Sequence, residues 1–207
     1  MEAMRHLLVS FLSVLSLGLS AAIAETKPDS KQPLDYSKAL AVSEMNRRSR
    51  TLFKDGAPKA HWEYTSGLFA HSLVELGKAT GDASFTRYAV DLTSSFIGDD
   101  GSIATYKMED YNIDLLPPGR IALYAWETTK DPRFKNAAET LRAQLTKHPR
   151  TSDGGFWHKQ RYPWQMWLDG LYMGSPFLAQ YGKVFQEPAA FDEVVHQLVL
   201  MDKHGFD

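Results

Sequence analysis

Thr80-Gly81-Asp82-Ala83-Ser84-Phe85 and Thr129-Lys130-Asp131-Pro132-Arg133-Phe134 are two copies of one turn, and this repeat decides the fold. The copies begin 49 residues apart, and apolar segments with helical spacing flank both of them. A third, looser copy, Glu187-Pro188-Ala189-Ala190-Phe191, aligns with one extra residue. A repeat of this period predicts helical hairpins, which stack into a solenoid or a closed α/α toroid because one hairpin cannot bury both of its faces.

The rest of the chain reads as helices separated by loops, without the alternating pattern of a strand. The sequence therefore predicts an all-α fold with seven helices, at residues 34–54, 62–80, 83–97, 117–130, 132–147, 164–181 and 188–203. Short turns join the helices within a hairpin, and longer loops join successive hairpins. The long loops are expected to emerge together at one end of the stack.

Composition places the chain among ordinary packed domains. It has 207 residues, 43% of them hydrophobic and 23% charged, which suits one domain with a substantial core. The net charge of -2 and the absence of a Lys/Arg run give no reason to expect nucleic acid as a partner. The chain has no cysteine, so it has no disulfide and no lipoprotein anchor.

Residues 1–24 read as a secretory signal peptide. Arg5 supplies the basic region, residues 7–19 the apolar region and Ala22-Ile23-Ala24 the cleavage site. The alternative is a membrane anchor, but small and polar residues within the segment favour cleavage, which leaves no stable anchor. Residues 25–33 read as a linker and residues 34–207 as the folded domain. The expected location is therefore outside the cytoplasm, either periplasmic or secreted.

The stretch 154–173, GGFWHKQRYPWQMWLDGLYM, places aromatic rings and His158 around the single carboxylate of Asp169. Aromatic faces stack on the C–H faces of a sugar, and a nearby acid supplies protonation. Aspartate is a poor residue for a helix interior, so a purely structural role explains Asp169 less well than a functional one. His158 taken alone is interpreted as a surface loop residue, and only the family resemblance given below assigns it to the site.

Asp114 is the second candidate acid, 55 residues before Asp169 and so about one repeat away. Both acids are expected near the starts of neighbouring inner helices, where the helix dipole favours the ionised carboxylate. Burial by Trp164 and Trp167 and a second carboxylate nearby favour the protonated form of Asp169. Asp114 could instead be an N-terminal helix cap. No histidine spacing typical of metal ligands is present, so neither a metal nor a cofactor is predicted.

The run 162–177, YPWQMWLDGLYMGSPF, resembles the signature of glycoside hydrolase family 105, the unsaturated rhamnogalacturonyl hydrolases. Asn112-Ile113-Asp114 followed by Pro118-Gly119 is similar to a second family motif, and residues 62–67 to a third. The resemblance implies an (α/α)6 barrel of about twelve helices. The seven predicted helices then correspond to an incomplete toroid, roughly the N-terminal half of the family domain.

The resemblance also implies the reaction. These enzymes hydrate the C4=C5 bond of the unsaturated uronate that a lyase leaves at the nonreducing end of a pectic oligosaccharide. Asp169 would protonate C4, and Asp114 would hold sugar hydroxyls and influence the protonation of Asp169. Residues expected to line the substrate subsite are Trp62, Tyr64, His158, Trp167 and Met173.

Two alternatives remain at this stage. One is family 88-like hydrolysis of unsaturated glycosaminoglycan or ulvan fragments, which uses the same fold and chemistry. The other is a non-catalytic helical module that binds carbohydrate or protein.

Overall fold

The computed structural model describes residues 32–49 and 61–205. Within these ranges the chain forms seven α-helices, which we number in chain order: α1 (Gln32–Ser49), α2 (Tyr64–Thr80), α3 (Ala83–Ser94), α4 (Gly119–Thr129), α5 (Pro132–Lys147), α6 (Leu168–Phe185) and α7 (Pro188–Gly205). Two short 3-10 helices, Met108–Asp110 and Ile113–Leu115, lie between α3 and α4. The predicted all-α class is confirmed.

Several predicted boundaries were wrong by a few residues. Helix α1 begins at Gln32, inside the predicted linker, and α6 runs from Leu168 to Phe185 rather than over 164–181. Within the described residues, no helix is both long and apolar enough to cross a membrane. The predicted signal peptide, 1–24, and residues 25–31 of the predicted linker lie outside the described residues.

The chain divides into two units between Ala39 and Leu40, and the fold below is that of residues 40–207. Of the first unit, the structure describes only residues 32–39, which belong to α1.

Helices α2 to α7 form three hairpins, each closed by a two-residue turn. Helices α2, α4 and α6 are each followed by a C-cap residue with left-handed backbone conformation: Gly81, Lys130 and Gln186 (φ 72°, 59° and 55°). In the first two turns an aspartate follows, and its carboxylate accepts a hydrogen bond from the N–H two residues later. The repeat in the sequence is therefore a repeat of turn geometry, as predicted.

The third copy of the repeat contains no extra residue. Ala190 lies three residues after Glu187, as Phe134 does after Asp131, and its N–H donates to the Glu187 carbonyl in the same way (3.1 and 3.2 Å). Ala190 is fully buried, whereas Phe191 is exposed. The predicted alignment matched one phenylalanine to another, but the position fixed by the turn holds alanine.

The hairpins stack through their first helices. Helix α4 contacts both α2 and α6, which makes α2, α4 and α6 a continuous inner row. Two glycines allow this close approach. A Cβ atom on Gly67 of α2 would lie 2.5 Å from the Pro118 nitrogen, and one on Gly119 of α4 would lie 2.8 Å from the Phe177 ring. The two long loops that precede α4 and α6 meet at the end where these inner helices begin, through hydrogen bonds from the Ile113 N–H to the His158 carbonyl and from the Gln160 N–H to the Asp110 carbonyl.

Gly67→Ala is expected to destabilise the fold by about 1–3 kcal/mol, because the new methyl group meets backbone atoms that move only with α4. Gly174→Ala is the matched control. It also lies in an inner helix, but its Cβ would make ordinary contacts of 3.5 Å or more. The control should be neutral or stabilising, since alanine favours helix. Urea unfolding of both variants checks the prediction, and equal midpoints would contradict it.

Candidate active site

Asp114 lies on the 3-10 helix Ile113–Leu115, which packs against α6. The side chain of Asn112 caps this turn, since its Oδ1 accepts a hydrogen bond from the Asp114 N–H at 3.0 Å. Helix α4 begins only at Gly119, with no side-chain cap. Asp114 is therefore not a helix cap, and its carboxylate is available for other contacts.

Buried hydrogen bonds from two sides fix this turn. The Trp62 indole N–H donates to the Leu115 carbonyl at 2.7 Å. From α5, Gln144 Nε2 donates to the Asn112 carbonyl at 3.1 Å, while its Oε1 accepts from the Tyr106 hydroxyl at 2.8 Å. Because Gln144 is fully buried, losing either partner would leave a desolvated amide atom unpaired.

The loop of residues 148–167, which we call the aromatic loop, lies against the same turn. The Ile113 N–H donates to the His158 carbonyl (3.1 Å), and the His158 N–H donates to the Gln165 carbonyl (2.7 Å). The His158 imidazole stacks on Trp167 with centroids 4.2 Å apart and planes 9° apart, and Tyr162 stacks on the same indole at 5.0 Å. These contacts hold the His158 ring beside Asp114, and Trp167 and Tyr162 follow it in the same series of stacked rings.

Helix α7 supports the loop from outside. Arg150 forms a bidentate ion pair with Glu193, at 2.8 and 2.9 Å. The buried Gln197 accepts a hydrogen bond from the Phe156 N–H (2.9 Å) and donates to the Gly154 carbonyl (3.0 Å). The position of His158 thus depends on residues about 40 positions later in the chain.

Asp169 lies in the first turn of α6, where the helix dipole acts on its carboxylate. One carboxylate oxygen of Asp169, one of Asp114 and one ring nitrogen of His158 all lie within 4.8 Å of one another. Gly170 has no side chain, so the His158 ring can lie against this turn. The structure therefore brings together the two acids predicted from the sequence.

Charge in this cluster is partly balanced. Lys159 Nζ lies 2.5 Å from Asp114 Oδ2, and His158 Nε2 lies 3.3 Å from Asp114 Oδ1. Burial lowers the pKa of His158, although the negative charges of Asp114 and Asp169 oppose this effect. Burial therefore favours the neutral imidazole, and one ring face is covered by Trp167.

The expected burial of Asp169 is not found. Asp169 is exposed in the described part of the chain, and Trp164 is 68% exposed and packs on Trp157 rather than on the acid. The tryptophan that approaches the cluster is Trp167, through its contact with His158.

Asp114, His158 and Asp169 also have the composition of a metal-binding set. The prediction of no metal used spacing along the chain, which does not group these three residues. The Lys159 ammonium already pairs with Asp114, and a positive charge there disfavours a divalent cation. The donor set fits proton transfer better than metal binding.

The remaining predicted residues occupy three places. Tyr64 and Met173 line a cavity of about 230 Å³ between α2, α4 and α6. His158 and Trp167 line a crevice of only about 10 Å³. Trp62 is 1% exposed and has no free face for a sugar. The prediction that Trp62 contacts substrate was therefore wrong, and its indole supports the Asp114 turn instead.

Several site residues escaped the sequence-based prediction. Lys159 follows His158 directly in the sequence, but no sequence pattern indicated that it would pair with Asp114. Gln144 and Gln197 left a usable signal, since each is a polar residue on the otherwise apolar face of its helix. A buried glutamine at such a position has to be hydrogen-bonded, which indicates a supporting role.

The buried His148 gives a prediction of pH dependence. Burial lowers its pKa from 6.5 to about 4, and its Nε2 lies 2.7 Å from the Trp157 carbonyl. The unfolded chain binds a proton on this histidine below about pH 6.5, whereas the folded chain does so only near pH 4. Stability should therefore fall by up to about 3 kcal/mol as the pH drops through this window.

Urea unfolding between pH 7 and pH 4 measures this effect. In His148→Gln the fall should be clearly smaller, since glutamine retains a donor for the Trp157 carbonyl but does not titrate. His204→Gln, which removes an exposed histidine instead of a buried one, is the control variant. An unchanged slope in His148→Gln would contradict the assignment.

Hairpins stacked through an inner row, with an acid pair at their loop end, are the arrangement expected of part of an α/α toroid. Residues 36–207 match the model of Glycosyl Hydrolase Family 88, and the chain belongs to this family. A glycoside hydrolase of family 105 from C. acetobutylicum ATCC 824 is 38% identical, with a TM-score of 0.71 over 81% of this chain and 45% of its own.

Two further solved structures share the fold. A possible member of family 105 from Salmonella enterica serovar Paratyphi A is 23% identical, with a TM-score of 0.65 over 82% of this chain and 48% of its own. A possible member of family 105 from Klebsiella pneumoniae is 22% identical, with a TM-score of 0.68 over 86% of this chain and 49% of its own. The chain thus spans about half the length of these structures. The predicted toroid and the relation to families 105 and 88 are confirmed.

Proposed function

We propose that this chain forms the acid-bearing part of an unsaturated rhamnogalacturonyl hydrolase, acting on pectic oligosaccharides after a lyase. The observation that carries the proposal is the cluster of Asp114, His158 and Asp169 beside the stacked rings of Trp167 and Tyr162. Stacked rings suit a sugar face, and the exposed Asp169 is accessible to a substrate.

In the proposed reaction Asp169 donates a proton to C4 of the unsaturated uronate, and positive charge develops at C5 and the ring oxygen. Water then adds at C5 and loses a proton to the carboxylate of Asp169. The resulting hemiketal opens and releases the next sugar. Asp114, held by Asn112 and Lys159, binds sugar hydroxyls.

The spacing of the acids supports hydration over inverting hydrolysis. Inverting glycosidases separate their two carboxyl groups by about 6.5–9.5 Å so that a water fits between them. Oxygens of Asp114 and Asp169 approach within 4.8 Å, closer than in such a pair. Hydration needs only one acid at C4 and does not require the wider separation. Retaining glycosidases have carboxyl groups about 5–5.5 Å apart, so the position of the added solvent distinguishes hydration from retaining hydrolysis.

Ultraviolet absorbance of the conjugated uronate tests the proposal. Hydration removes the double bond, so the absorbance of an unsaturated rhamnogalacturonan disaccharide should fall as the sugar is released. Ordinary hydrolysis at C1 frees an enol that tautomerises when its ring opens, so the position of the added solvent decides between the two reactions. With methanol as a cosolvent, a methoxy group at C5 supports hydration, and one at C1 would refute it. Glycosaminoglycan and ulvan disaccharides in the same assay test the family 88-like alternative, which the family match favours.

A non-catalytic carbohydrate-binding role is the second candidate, since stacked aromatic rings can bind a sugar without turnover. Calorimetric binding of the disaccharides without any change in absorbance would select it. We also propose an exported location, supported by the pattern of residues 1–24. Mass spectrometry of the chain from a periplasmic or culture fraction should show cleavage after Ala24, and an uncleaved cytoplasmic chain would contradict export.

A further inference from the structure

The charge of the acid cluster raises the question of how an acidic sugar is held there. Asp114 and Asp169 both repel a uronate carboxylate. The nearest cation, Lys159, is already paired with Asp114 at 2.5 Å. A substrate that carries a carboxylate therefore needs another positive group close by.

Arg120 is a positive group that faces the neighbouring cavity. It lies in the first turn of α4 and lines the space of about 230 Å³ together with Tyr64, Tyr172 and Met173. Its Nε is buried without a hydrogen-bond partner, and no carboxylate within the described ranges forms an ion pair with it. A buried, unpaired guanidinium nitrogen is costly unless a ligand or water satisfies it.

The cavity adjoins the acid cluster along two elements. Asp114 and Arg120 are six residues apart, joined by the buried segment 115–119. On α6, Tyr172 and Met173 follow Asp169 by three and four residues, which places them on the same helix face. The volume of about 230 Å³ is well above the roughly 10–15 Å³ that a cavity needs to hold one water molecule, so a carboxylate with part of a ring can enter.

We propose that Arg120 binds the carboxylate of the uronate and so makes the site selective for acidic sugars. This inference rests on the proposed function and adds the residue that recognises the negative charge of the substrate. A guanidinium donates two parallel hydrogen bonds to a carboxylate, and partial burial among apolar side chains strengthens the attraction. Arg161 is a weaker candidate, because it is exposed and packs over the Tyr162 ring.

Two substrates and three variants test the proposal. The substrates are the unsaturated rhamnogalacturonan disaccharide and its uncharged uronate methyl ester. Arg120→Met should lower kcat/KM for the acid by about 10–100-fold while changing that for the ester by less than about threefold. Arg120→Lys should recover part of the preference for the acid, since it restores charge without the bidentate geometry. Arg87→Met, on the exposed face of α3, is the control.

The outcomes separate this inference from the proposed function. If wild type hydrates the acid and Arg120→Met leaves the acid-to-ester ratio unchanged, Arg120 does not read the carboxylate, although the proposed reaction stands. An equal loss on both substrates would also overturn the inference. If no absorbance changes at all, the ratio of calorimetric affinities replaces kcat/KM, and a wild type that binds acid and ester equally refutes it.

Discussion

Asp169→Asn is expected to lower kcat on the unsaturated disaccharide by about 10²–10⁴-fold, because asparagine cannot deliver a proton to C4. Binding should change little, since the amide has nearly the same shape and the Asp169 side chain is exposed. The absorbance assay measures kcat, and calorimetry measures affinity for the same substrate. A loss confined to kcat is the signature of a group that acts only in the transition state.

Asp192→Asn is the matched control for this experiment. Asp192 is likewise exposed and lies early in its helix, but α7 supports the aromatic loop from the side away from the acids through Arg150–Glu193 and Gln197. Its kcat should equal that of the wild type. If Asp169→Asn retained more than a tenth of the wild-type kcat, another group would have to be the proton donor.

The hairpins were predictable because their turns use local chemistry. Gly81 and Asp82 form a left-handed stop followed by a helix cap, and Lys130 and Asp131 repeat this arrangement. Such signals involve neighbouring residues and need no tertiary information. The third copy was misaligned because the phenylalanine match outweighed the spacing from the turn. Tertiary packing decides which residue is buried there, and Gly182 leaves room only for the small Ala190.

The acid pair was predictable for a related reason. Stacked hairpins place equivalent positions side by side, so acids about one repeat apart were expected to meet, and they do. Lys159 and Gln144 were not assigned, because their partners are set by the path of the long loops. Hydrophobic periodicity predicts helices but not the paths of loops. Contacts between loops and outer helices therefore could not be predicted from the sequence.

Trp62 is a second case in which the sequence alone did not determine the role of a residue. A large aromatic residue at the loop end suits either a sugar-binding surface or a buried support, and sequence alone does not distinguish them. The structure places its ring edge-on to Phe96 and its N–H on the Leu115 carbonyl. Trp62→Ala should therefore cost about 3–5 kcal/mol of folding free energy through the cavity it leaves. Denaturant unfolding measures this loss.

Trp62→Phe separates packing from hydrogen bonding. It keeps most of the ring but leaves the buried Leu115 carbonyl without its donor, which should cost about 1–3 kcal/mol. Because Leu115 directly follows Asp114, kcat should fall as well, even under conditions where the variant is fully folded. Trp126→Phe, a half-buried tryptophan near the far end of α4, is the control and should leave kcat unchanged. Equal kcat in the wild type, Trp62→Phe and Trp126→Phe would mean that the Trp62 indole N–H stabilises the fold without positioning Asp114.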